Sequence, residues 1–75
     1  MKTKIEILES FHDQANTKLL EAEINLRTAE KRTLLMKPGT DYDGMQKEIV
    51  KFKEMIKAFK AVIITIDEFI KEEKE

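Results

Sequence analysis

The sequence predicts an all-α fold, an antiparallel two-helix hairpin of coiled-coil type, on three observations. Apolar or small residues recur in alternating steps of three and four through both halves of the chain. The recurrence is broken once, at Pro38-Gly39. The stripes on either side of that break also complement each other when one half is folded back along the other.

Helix one is expected over about residues 3–36. Thr3-Lys4-Ile5-Glu6 is a capping box, in which the threonine hydroxyl accepts from a backbone N–H of the first turn while the acid three residues later reaches back. The stripe then reads Ile5, Leu8, His12, Ala15, Leu19, Ala22, Leu26, Ala29, Thr33 and Met36. Proline disfavours helix at the residue before it and glycine relieves the turn that follows, so residues 37–40 are read as the turn.

Helix two is expected over about residues 41–72. Thr40-Asp41-Tyr42-Asp43 repeats the capping pattern, and its acids suit the positive end of the helix dipole. The stripe continues as Tyr42, Met45, Ile49, Phe52, Ile56, Phe59, Ile63, Ile66 and Ile70. Gly44 weakens the first turn by about 1 kcal/mol relative to Ala, where fraying costs little. The charged tail Lys71-Glu72-Glu73-Lys74-Glu75 is expected to fray.

In an antiparallel pair, facing residues have numbers that complement to a constant, and here the constant is 78. Ala29 then faces Ile49, Leu26 faces Phe52, Ala22 faces Ile56, Leu19 faces Phe59 and His12 faces Ile66. Alanines at heptad spacing let the helices approach and leave room for the two phenylalanines, the size matching a dense core requires. On one edge Glu23 and Glu30 can reach Lys53 and Lys60, and near the turn Arg32 can reach Glu48. Such exposed pairs contribute about 0.2–1 kcal/mol each and act mainly on register.

Composition agrees with one small helical domain spanning residues 1–75. The chain is 39% charged and 41% hydrophobic, with two glycines, one proline and no cysteine. It is too apolar for a disordered chain, and no disulfide or thiolate metal site can staple it. Its net charge of −1 creates no long-range field toward nucleic acid or anionic lipid. The basic start lacks an apolar segment of signal-peptide length, and Ala61 to Ile66 is far too short to span a bilayer. A cytoplasmic, complete short gene product is the expectation, with no membrane partner.

A lone hairpin covers each helix on one side only. A second stripe on helix two, Met55, Ala58, Val62, Thr65 and Phe69, lies on the flank of the seam, with Phe11 of helix one beside Phe69. These six residues form the candidate interface. A second copy of the chain is the expected cover, giving a homodimeric four-helix bundle, with long Lys and Arg stems in a monomer or a different protein as the alternatives. Ile7, Leu20, Ile24, Leu34 and Leu35 lie outside both stripes and are scattered.

Three other patterns carry candidate chemistry. Glu9-Ser10-Phe11-His12 has the Glu-x-x-His spacing of helical di-metal bundles, but the inward acids needed from the other helix are missing, so no metal is expected. His12 reads instead as a polar seam residue that helps set register. Asp41-Tyr42-Asp43-Gly44 lacks the remaining ligands of a calcium loop and reads as capping. Lys47, Lys51 and Lys57 form a candidate nucleic-acid face, weakened by Glu48 and Glu54 within the run and by the lack of an aromatic stacking platform. With one histidine, no Gly-rich phosphate loop and no cofactor motif, neither catalysis nor a small-molecule substrate is expected. The expected function is a small protein–protein interaction module that adapts, inhibits or scaffolds a larger macromolecule. A nucleic-acid accessory factor using the lysine face is the alternative.

Overall fold

A computed structural model describes residues 3–36 and 41–75. The predicted turn at Pro38-Gly39 and the expected cap at Thr40 lie outside the described residues. Helix α1 spans Lys4–Leu35 and α2 spans Tyr42–Lys74, and the two pack against each other along an elongated body of 56 × 18 × 14 Å. No strand occurs among the described residues.

Each helix end has a local cause. The Glu6 N–H donates to Thr3 Oγ1 at 3.2 Å, so the threonine half of the expected capping box forms. At the other end of α1, Met36 is extended and its N–H donates to Thr33 O at 3.2 Å. Asp41 is the N-cap residue of α2, without a side-chain cap hydrogen bond. Its carboxylate lies over Gly44, where a Cβ would collide with Oδ1. The glycine thus leaves space for the acid at the helix start, a closer reason for it than cheap fraying.

The expected fraying of the tail does not occur. Helix α2 continues through Lys74, and the Glu75 N–H donates to Lys71 O at 3.2 Å. Lys71 and Lys74 in the last turn complement the negative end of the dipole. Lys4 Nζ also meets Glu73 Oε1 at 2.8 Å, tying the last turn of α2 to the first turn of α1.

The predicted seam is the core. Ala15, Ala22, Ala29 and Ile49 are buried, and Ala22 is only 2% exposed. Every other stripe residue is half-buried except Tyr42, which is 40% exposed. Tyr42 begins α2 and has no preceding turn of that helix to pack against it; it borders an open depression with Thr33 and Gln46. Large side chains stop at half-burial because two helices form a layer only 14 Å thick, too thin to enclose an isoleucine or phenylalanine from all sides.

Cross-helix polar contacts reproduce the register. Lys4 with Glu73 and His12 with Asp67 have numbers summing to 77 and 79, on either side of the value read from the stripes. The expected edge pairs are a correction: Glu23 and Glu30 do not come within 4.0 Å of Lys53 or Lys60, nor Arg32 of Glu48. Glu30 and Lys53 instead border one open depression, and Glu23 is half-buried. Exposed ions keep their hydration unless geometry repays the ordering of two long side chains, and here it does not.

Candidate interaction surface

The six residues of the second stripe all remain exposed on the hairpin. Phe11 is 52% and Phe69 49% exposed, with Met55, Ala58, Val62 and Thr65 also open to solvent. They arise from helical spacing: a step of three or four returns to the same side of α2, displaced from the seam by about one residue's rotation. Thr65 belongs to this surface by more than position. Its hydroxyl donates to Ala61 O at 3.0 Å, so its hydrogen-bonding need is met within the helix and the methyl remains for contact.

His12 sits at the other functional position singled out by the sequence, and it is fully partnered. Nε2 lies 2.9 Å from Asp67 Oδ1, and Asn16 Nδ2 lies 3.0 Å from Nδ1. Both ring nitrogens thus lie within hydrogen-bonding distance of a side chain, one on each helix. The histidine therefore joins the two helices, consistent with a register role. Asp67 is exposed, yet close enough to close this contact. The signal was available, since Asn16 stands one turn beyond His12 and Asp67 next to its facing residue Ile66.

Glu9, His12, Asp13 and Asp67 border a shallow depression of about 290 Å³ together with Ile70 and Lys74. Among the described residues no group of three or more His, Asp or Glu side chains is arranged to hold a metal ion. The acids at Asp41 and Asp43 lie at the start of α2, where they face the helix dipole.

Lys47, Lys51 and Lys57 are exposed, and none is within 4.0 Å of an acid among the described residues. They do not form one compact patch: 51 and 55 are one turn apart, which places Lys51 at the head of the apolar stripe, whereas Lys57 projects from the outer side of α2. No helix among the described residues is long and apolar enough to cross a membrane.

Lys4 sits beside two acids at the end of α2. Its hydrogen bond to Glu73, reinforced by the charges of Glu73 and Glu72, raises its pKa above the ordinary lysine value.

Comparison with protein-family models, with curated proteins and with solved structures finds no match for this chain.

Proposed function

We propose that this protein is a small, non-catalytic, cytoplasmic protein–protein interaction module. Its apolar flank closes against a second copy to form a four-helix bundle, and the bundle adapts, inhibits or scaffolds a larger partner. The observation that carries this reading is the half-exposure of Phe11 and Phe69 on one continuous flank with Met55 and Val62. Isolated apolar residues are normal on a surface, but a periodic row flanking a thin core is the arrangement that a further helix layer covers. A closed bundle would also complete the burial of Phe59, Ile63 and Ile66, which the hairpin covers only in part.

Light scattering across a dilution series tests this. A mass of twice the 8.8 kDa chain at the concentrated end is expected. A single-chain mass throughout would end the self-association reading.

A nucleic-acid accessory role is a second reading, favoured by the lack of acidic partners at Lys47, Lys51 and Lys57. It requires salt-sensitive DNA or RNA binding that charge reversal at these three positions abolishes.

A further inference from the structure

The apolar flank has a direction. Along α2 it begins at a cation, Lys51, runs through Met55 to Phe69, and ends at an anion, Glu72, all of them exposed. We infer that two copies pair antiparallel through this flank of α2, with the two-fold axis passing between Val62 and Thr65. The inference rests on the self-association reading and adds its polarity and register.

Polarity follows from the end charges. A parallel copy sets Lys51 on Lys51 and Glu72 on Glu72, whereas an antiparallel copy brings each Lys51 within about one helical turn of the other chain's Glu72. Symmetry makes that contact twice.

Register follows from side-chain size, by the same complementing of numbers that gave the hairpin seam. With a constant of 127, Ala58 faces Phe69 of the second copy, Val62 faces Thr65, and Met55 lies along the stem of Glu72. The small Ala58 takes the large Phe69, the similar-sized Val62 and Thr65 meet beside the axis, and the Thr65 hydroxyl, already bonded to Ala61 O, turns no unmet donor into the contact. Sliding by one heptad, to 120, sets Lys51 over Phe69 and brings Glu48 against Glu72. At the favoured register residues 53–74 of each α2 overlap, about 32 Å of helix at 1.5 Å per residue.

The chain has no cysteine, so introduced thiols report without interference. Met55→Cys and Glu72→Cys chains are mixed, equilibrated and mildly oxidised, with mass followed by sedimentation equilibrium. A disulfide joining one chain of each kind is expected, with neither variant cross-linking alone. Self-cross-linking of Met55→Cys, or a dimer that never forms the mixed disulfide, would overturn this pairing while leaving self-association standing. A monomeric wild type would overturn both. Charge reversal gives an independent readout: Lys51→Glu and Glu72→Lys each weaken dimerisation about fivefold, and combining them restores it. A double variant no tighter than either single one contradicts the antiparallel contact.

Discussion

Ala22 shows how much of this fold depends on the size of single side chains. It is the most buried residue described, and the register places it against Ile56. Ala22→Leu forces extra methylenes between two helices held close by alanines, and a loss of roughly 1–3 kcal/mol is expected in urea unfolding. An unchanged midpoint would mean the helices stand farther apart than the seam requires. Lys4 acts at the opposite, exposed extreme. Its folded pKa lies above its unfolded value, so the contribution of the Lys4–Glu73 contact is fully present below the ordinary lysine range and disappears as pH rises through the raised value. The difference in melting temperature between wild type and Lys4→Met is therefore expected to hold constant through neutral pH and to vanish in strong alkali. A difference that persists there would assign the effect to packing of the lysine stem. Contacts of this kind were not legible beforehand: sequence spacing shows which ions lie on the same edge, but hydration and side-chain entropy decide which of them meet. Glu23 and Glu30 stayed apart from their lysines, whereas Lys4 met Glu73.

At the scale of the helices, periodicity carried nearly all the information. Every seam residue from Ile5 to Ile70 except Tyr42 lies at least half-buried among the described positions, because a heptad row has only one side of a helix to occupy. The ends were less legible. Capping at Thr3 formed as expected, but the tail of α2 stayed helical through Lys74, held by a cross-helix ion pair that charge composition alone does not reveal. The same periodicity located the second stripe, and each of its six residues is exposed.

At the scale of the whole molecule, the hairpin is a single layer with two unequal flanks. One carries Glu30, Lys53 and Lys60 and is adapted to water; the other carries Phe11, Met55, Val62 and Phe69. A body 14 Å thick leaves its larger core residues incompletely covered, and a second layer is the physical remedy. The sequence named the exposed flank because a helical row is visible in residue numbers. Its partner is less legible, since an apolar row specifies coverage by something complementary and only size and end charge point to a second copy. The most direct measurement is the solution mass of Phe69→Glu at a concentration where the wild type is dimeric, taken with its circular dichroism. Position 69 lies outside the seam, so the account predicts an undiminished helical spectrum and a mass reduced to that of one chain. A variant that remains dimeric would contradict it and move the contact to another surface of the hairpin.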